Sequence, residues 1–167
     1  MKEGVFTMDK IVSDENVLIM DGAHVMGDVS FEKGCSVWYG AVLRGDSGAI
    51  RLGRYCNIQD NATLHGEGGI PTILEDGVTV GHNAVVHSAY VGKHTLIGMG
   101  AVVISGAKIG SYCMIGAGAV VTPKTVVPDC SLAVGNPAKV VRALTPEEIE
   151  HVTNAGRAYH ELSLKHR

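Results

Sequence analysis

The chain has 167 residues, a formal net charge of −3 and four cysteines, and this length suits one domain with a short terminal addition. The charge gives no electrostatic reason to expect binding to nucleic acid or to an anionic membrane. The cysteines form no Cys-X-X-Cys pair, the first residues lack the apolar core of a signal peptide, and no apolar run is long enough to span a bilayer. The sequence therefore predicts a soluble cytoplasmic protein with reduced thiols.

A six-residue repeat runs from residue 13 to residue 132. Its first position is apolar in every unit but the first, and its fifth is mostly small, as in VGKHTL, IGMGAV and IGSYCM. A period of six matches neither the 3.6-residue repeat of a helix nor the sustained alternation of a strand. It is typical of short strands joined by turns, three to a coil, that stack into a parallel β-helix at about 4.8 Å per coil. First-position side chains then point inward, and the corner slots of the fifth position hold Cys35, Cys56 and Cys113.

The repeat has two insertions, one of three residues after residue 48 and one of four residues before residue 74. We expect both insertions to bulge out as loops, because the units on either side of them keep the same pattern. The units that begin at residues 43, 64 and 86 then lie on one face of the prism. The units that begin at residues 58 and 80 lie on the next face.

A helix is predicted at the C-terminus, after the repeat ends near Ala133 and a linker follows. The segment 145–148, with the sequence TPEE, provides an N-cap threonine, a proline at the first helical position and a glutamate at N3. We expect the helix to pack along the prism through one apolar stripe. That stripe consists of Ile149, Val152, Tyr159 and Leu162. The chain is thus divided into a β-helix domain, residues 1–144, and a C-terminal helix, residues 145–167.

The register brings ionisable side chains together on the outside of the coils. Arg44, His65 and His87 take the second position of three units on one face, so they form a column with neighbours about 4.8 Å apart. Zinc binds imidazole nitrogen at about 2.0–2.1 Å, so His65 and His87 can reach one metal ion. Asp60 and His82 lie on the next face, so a third histidine has to come from a neighbouring chain. Cyclic threefold symmetry closes such contacts, which predicts a homotrimer with three interfacial metal sites.

Four stretches of the sequence resemble the signature of the γ-class carbonic anhydrases, which are hexapeptide-repeat proteins. These are RGD at 44–46, NIQD at 57–60, His65, and VGHNAVVH at 80–87. The resemblance extends over nearly the whole chain, including AVGNPAKVVRAL and the terminal helix. It implies a left-handed β-helix and a homotrimer that catalyses the reversible hydration of carbon dioxide to bicarbonate. It implies Zn2+ as the cofactor, with Fe2+ or Co2+ as other metals that the site accepts.

The resemblance also implies a set of metal ligands. His65 and His87 would bind the metal from one subunit, and His82 would bind it from the next. Three neutral histidines leave a zinc position open to water, whose pKa the ion lowers from 15.7 to about 7.

Further roles are implied around those ligands. Arg44 would form ion pairs between subunits, with Asp46 and Asp60 as its partners. Gln59 would contact the water on the metal, and Tyr159 would approach the metal from the terminal helix.

The sequence departs from the family pattern in its acidic loop. Asp46 is followed directly by Ser47 and Gly48, and the loop at 66–73 offers only Glu67 as an acid, so we expect weak hydration activity. Two alternatives remain. One is a hexapeptide-repeat acyltransferase or acetyltransferase, which would share the coils and the GNPAK segment and would use coenzyme A with a single histidine base. The other is a non-catalytic metal-binding or scaffold protein.

Overall fold

Residues 10–13 and 16–166 are described in a computed structural model, and they form a parallel β-helix followed by one α-helix. The strands are β1 (Lys10–Val12), β2 (Leu18–Ile19), β3 (His24–Phe31), β4 (Ser36–Val37), β5 (Val42–Leu52), β6 (Asn57–Ile58), β7 (Thr63–His65), β8 (Thr72–Leu74), β9 (Thr79–Val80), β10 (Val85–His87), β11 (Tyr90–Val91), β12 (Leu96–Ile97), β13 (Val102–Val103), β14 (Lys108–Ile109), β15 (Met114–Ile115), β16 (Val120–Val121), β17 (Val126–Val127), β18 (Ser131–Val134) and β19 (Lys139–Ala143). The helix α1 (Pro146–Ser163) is followed by a 3-10 turn, Leu164–His166.

Backbone pairing sorts the strands into two sheets that form the faces of a prism. The eight-stranded sheet, in the order β19-β18-β15-β12-β9-β6-β4-β2, contacts α1 through β4, β6 and β9, and we call it the helix face. The eleven-stranded sheet supplies the other two faces, which meet in the long strand β5. We call its β5, β7, β10, β13 and β16 side the histidine face. The predicted parallel β-helix is therefore confirmed.

The core consists of stacked first-position side chains, as the repeat predicts. Leu43, Leu64 and Val86 pair in register on successive coils and are fully buried. At the corners, small residues fill the space, and the buried thiols of Cys35, Cys56 and Cys113 belong to free cysteines. Burial of this aliphatic surface stabilises the fold by about 25 cal/mol per Å².

The first insertion is a bulge within a continuous strand rather than a separate loop. Strand β5 runs unbroken through it, because Ile50 and Leu52 pair with β3 on one side and with β8 on the other. The extra length is taken up just before Ile50: Gly27 pairs with Gly45 and Val29 with Ile50, so residues 46–49 lie opposite Asp28 alone. The second insertion does leave the sheet, through an antiparallel bridge between Glu67 and Ile70.

The predicted linker before the helix also differs, since it contains the strand β19. This strand folds back antiparallel on β18 and pairs Val134 with Lys139. The turn between them contains Gly135, whose φ of 98° favours glycine. The strand closes the end of the helix face before α1 begins.

The start of α1 matches the sequence prediction. Thr145 is the N-cap, Pro146 lies in the first turn, and Glu148 completes a capping box with Thr145. Arg142 holds the Glu148 carboxylate with two hydrogen bonds of 2.6 and 2.8 Å. The loop-to-helix junction is thereby fixed by side chains on both sides.

Three members of the predicted apolar stripe of α1, Ile149, Val152 and Tyr159, are buried or half-buried, but the fourth is not. Val152, Gly156 and Ser163 are buried, whereas Leu162 is 40% exposed. A side chain at Gly156 would collide with the carbonyl oxygen of Tyr55, so this glycine lets the helix approach the coils closely. Within the described part of the chain, no helix is long and apolar enough to cross a membrane.

The Arg142–Glu148 pair predicts an acid-sensitive helix junction. Hydrogen bonds from Arg142, together with the backbone of Thr145, lower the pKa of Glu148 from its ordinary 4.5 to about 2. Because the folded-state pKa is the lower one, the pair stabilises the folded chain fully above pH 4.5, and this contribution is lost as the pH falls towards 2. Carboxyl NMR between about pH 3 and 4 is expected to show Glu148 ionised.

In Arg142→Gln, the pKa of Glu148 is expected to move towards its ordinary value. In Arg157→Gln, which removes an equal charge elsewhere near α1, it is expected to stay low. Titration of Glu148 near 4.5 in the unmodified chain would contradict the capping geometry.

Candidate metal centre

Two histidines of the histidine face lie side by side on adjacent coils. His65 ends β7 and His87 ends β10, and the two residues are register partners. His65 Nδ1 and His87 Nε2 are 3.1 Å apart, with the ring centroids 5.0 Å apart. The predicted ladder of residues 44, 65 and 87 is confirmed in its backbone register, since Arg44 pairs with His65.

The outer nitrogen of His65 is fixed by a carboxylate. Asp46 Oδ1 lies 3.1 Å from His65 Nε2, and Asp46 Oδ2 accepts a 2.7 Å hydrogen bond from Arg44. That hydrogen bond lowers the pKa of Asp46 from 3.8 to about 2, so this carboxyl is ionised at neutral pH. An ionised carboxylate only accepts hydrogen bonds, so the neutral His65 ring carries its proton on Nε2. The lone pair of His65 Nδ1 then points towards His87.

The outer nitrogen of His87 has a partner that the sequence analysis missed. Ser105 Oγ lies 2.8 Å from His87 Nδ1, from the turn that follows β13. The two residues are 18 positions apart, which is one coil of three six-residue units, so the repeat period itself contains the signal. On its inner side, His87 Nε2 also lies 3.4 Å from Glu67 Oε2.

The donor set of this pair fits a divalent metal ion. Two nitrogens bound to one tetrahedral zinc at about 2.0–2.1 Å lie roughly 3.3–3.4 Å apart. The 3.1 Å separation between His65 Nδ1 and His87 Nε2 is close to that value. Within the described residues, no three histidine, cysteine or acidic side chains are arranged to hold one metal ion. Within one chain, the structure thus brings together two ring nitrogens.

His82 lies around the corner from this pair. It follows β9 on the helix face, and its Nδ1 is 2.8 Å from Asp60 Oδ2. Asp60 and His82 follow paired strands on successive coils, as the register predicts. The proton on Nδ1 donates to Asp60, which leaves Nε2 as a lone pair on a partly exposed ring. The five-residue spacing therefore separates His82 and His87 onto two faces.

Gln59 and Tyr159 lie near His82, at the edge of the terminal helix. Gln59 is buried, and its Nε2 donates a 3.2 Å hydrogen bond to Asn57 Oδ1. Asn57 in turn donates to Thr79 Oγ1 at 2.8 Å, so a buried amide network holds Gln59. Sequence reasoning singled out the NIQD segment but missed this function of Asn57.

The Tyr159 ring packs edge-on against Trp38, with centroids 5.6 Å apart. Burial raises the pKa of its phenol, the charge of Asp60 raises it further, and a hydrogen bond with Gln59 opposes the rise. Tyr159, Gln59 and His82 line one mostly apolar cavity of about 310 Å³. The structure thus forms two clusters: Arg44, Asp46, His65 and His87 on one face, and Gln59, Asp60, His82 and Tyr159 by the other.

Comparisons with known proteins agree with this fold. A model of the bacterial transferase hexapeptide (six repeats) matches residues 88–123. The chain is 39% identical over 168 residues to gamma carbonic anhydrase 2, mitochondrial, of Arabidopsis thaliana, a match that covers 97% of this chain and 60% of the relative. It is 44% identical over 146 residues to a carbonic anhydrase of Geobacillus kaustophilus, with 87% of this chain and 80% of the relative covered.

Among solved structures, a hexapeptide transferase family protein from Anaplasma phagocytophilum superposes with a TM-score of 0.90 at 34% identity. That match covers 94% of this chain and 93% of the other. Fold and repeat together define a hexapeptide-repeat β-helix protein. Within that class, the chain belongs to the γ-class carbonic anhydrase family. It spans about three fifths of the length of the Arabidopsis relatives that it matches.

The buried amide network makes a prediction about stability. Asn57→Ala removes the acceptor of Gln59 and the donor to Thr79, and it leaves buried polar groups unpaired. We expect the free energy of unfolding to fall by about 1–3 kcal/mol, measured by urea denaturation at a fixed protein concentration. Asn154→Ala, at an exposed position of α1, is the matched control and is expected to stay within about 0.5 kcal/mol. Equal urea midpoints for the two variants would show that Gln59 does not depend on Asn57.

Proposed function

We propose that this chain is a metal-dependent carbonic anhydrase that hydrates carbon dioxide reversibly in a homotrimer. The observation that carries the proposal is the approach of His65 Nδ1 and His87 Nε2 to 3.1 Å, with Asp46 and Ser105 holding their outer nitrogens. A divalent cation bound by both nitrogens would take the place of the proton that His87 Nε2 otherwise donates to His65 Nδ1. Membership of the γ-class family supports the same interpretation.

The third ligand of the proposed site is His82 of a neighbouring subunit. Its ring is oriented by Asp60 at 2.8 Å, and its side chain is 39% exposed on the helix-face side. A threefold axis that brings this corner against the next subunit's histidine face repeats one contact three times. The Arg44 side chain is 44% exposed and extends from the same face, where the adjacent subunit's copy of Asp60 is its proposed second partner.

The metal that we propose is zinc, and imidazole ligands accept iron or cobalt as well. When bound, such an ion is a Lewis acid that would lower the pKa of a water on it to near neutral pH. Asp46 and Ser105 keep the ligand nitrogens aimed at one point. Gln59 presents an amide from a buried, hydrogen-bonded position, where we propose that it orients the reactants, and Tyr159 closes the cavity beside it.

We expect hydration to be slow compared with family members that have an acidic loop. The loop between β7 and β8 offers Glu67, whose side chain is 66% exposed and 3.4 Å from His87 Nε2. The residues that follow it in the loop, Gly68 and Gly69, have no side chains that could accept a proton. Glu67 is therefore the one carboxylate available for proton transfer in that loop.

Acyl transfer is the second candidate, because His82 and Asp60 form a histidine–carboxylate pair beside an apolar cavity of about 310 Å³. Orientation of an imidazole by a carboxylate is common where histidine acts as a general base. The structural relative from Anaplasma phagocytophilum is described as a transferase. This activity uses one histidine and no metal, whereas a non-catalytic metal-binding or scaffold protein would bind metal without turnover.

The proposed compartment is the cytoplasm. The four cysteines are free, and three are buried, as expected where thiols stay reduced. The Arabidopsis relative is named as mitochondrial, so microscopy of a tagged chain in its own cell decides between these compartments.

The metal ligands make a prediction about composition and activity together. His65→Ala, His82→Ala and His87→Ala are each expected to lower metal content from about one ion per chain by more than tenfold and to abolish carbon dioxide hydration. His151→Ala, at an exposed position of α1, is expected to change neither quantity. Elemental analysis of the purified protein and a carbon dioxide hydration assay measure the two effects.

The same samples are assayed for acetyl-coenzyme A turnover. Thioester turnover by a metal-free chain would establish the acyltransferase. Metal binding without either activity would establish the non-catalytic protein and contradict the proposed hydration.

A further inference from the structure

The hydrogen bond between His87 and Ser105 can run in either direction. A hydroxyl has one hydrogen to donate and lone pairs to accept with, whereas a neutral imidazole donates through one nitrogen and accepts through the other. Among the described residues, His87 is the hydrogen-bond partner of the Ser105 hydroxyl, at 2.8 Å. The direction of this bond decides which nitrogen of His87 carries the proton.

Without a metal ion, all the groups of the ladder are satisfied when Ser105 donates. Ser105 Oγ then donates to His87 Nδ1, and His87 Nε2 donates across 3.1 Å to His65 Nδ1. His65 Nε2 completes the chain by donating to Asp46 at 3.1 Å. Every N–H in this chain of bonds meets an acceptor.

A metal ion requires the opposite direction at one end of the ladder. Ligation through His87 Nε2 needs a lone pair on that atom, so the proton of the neutral ring has to be on Nδ1. Ser105 Oγ is the acceptor positioned to receive it. The His65 end keeps its direction, because the Asp46 carboxylate only accepts.

We propose that Ser105 is the positioning residue of the metal site, and that its hydroxyl changes from donor to acceptor when the metal binds. The inference rests on the proposed metal-binding function of His65 and His87. It assigns different roles to the two ends of the ladder: Asp46 fixes the tautomer of His65 permanently, while Ser105 lets His87 adopt the tautomer that each state needs. A carboxylate in place of Ser105 would hold His87 in the metal-binding tautomer only.

The test compares metal affinity in three variants. Ser105→Ala is expected to weaken Zn2+ and Co2+ binding by about 10–100-fold in a chelator competition titration, the usual effect of losing a hydrogen-bond partner of a metal-bound histidine. Ser105→Thr keeps a hydroxyl and is expected to restore most of the affinity. Ser111→Ala removes a half-buried serine hydroxyl elsewhere on the coils and is the matched control, with unchanged affinity.

Nitrogen-15 NMR of the histidine rings provides a measurement that loss of packing does not reproduce. In the unmodified chain, His87 is expected to carry its proton on Nε2 without metal and on Nδ1 with Zn2+. The Nδ1 proton is expected to be protected from exchange in the unmodified chain and in Ser105→Thr, and to exchange rapidly in Ser105→Ala. Urea midpoints show that each variant is folded.

Each outcome decides the inference. Unchanged metal affinity in a folded Ser105→Ala variant overturns it and leaves the proposed function intact. The same tautomer of His87 with and without Zn2+ also overturns it. An unmodified chain that binds neither metal overturns the proposed function and this inference with it.

Discussion

The stacking of one coil on the next is the constraint on which the rest of the structure depends. Leu43, Leu64 and Val86 are buried in register because aliphatic side chains one coil apart exclude water from the centre of the prism. That stacking fixes the position of the neighbouring residue on each strand, whose side chain points outward. His65 and His87 therefore face each other because the buried residues before them are in contact. The site is a consequence of the core.

The paired histidines show how a fold can place two ring nitrogens where one cation would be bound by both. Asp46 directs a lone pair of His65 towards His87, at a separation of 3.1 Å between the ring nitrogens. Either a proton or a metal ion can lie between these two nitrogens. The proposed third ligand, His82, lies on another face, so a complete site needs a second chain. Metal binding and assembly then stabilise each other, because both depend on the same interface.

The six-residue period was sufficient to predict the coils, the faces and the ladder of residues 44, 65 and 87, since backbone stacking repeats whatever the outward side chains are. It was insufficient where pairing depends on residues outside the repeat. Strand β5 stays extended because β3 and β8 both pair with its extra residues, and β19 exists because β18 offers it a free edge.

The six-residue repeat also could not predict individual side-chain contacts. Gly156 lies close against the backbone of Tyr55, and Ser163 is buried where the pattern predicted Leu162. The hydrogen bonds of Ser105 and Asn57 depend on the side-chain positions of neighbouring coils.

Co-expression of two inactive chains tests most directly whether the site is shared between subunits. A His82→Ala chain retains His65 and His87. A His87→Ala chain retains His82, which is the proposed ligand for the site of the neighbouring subunit. In mixed trimers of equal composition, about one interface in four joins the intact halves, so metal content near one quarter of the normal level is predicted. Metal content that stays at zero in the mixture, or that survives in either chain alone, would contradict the account.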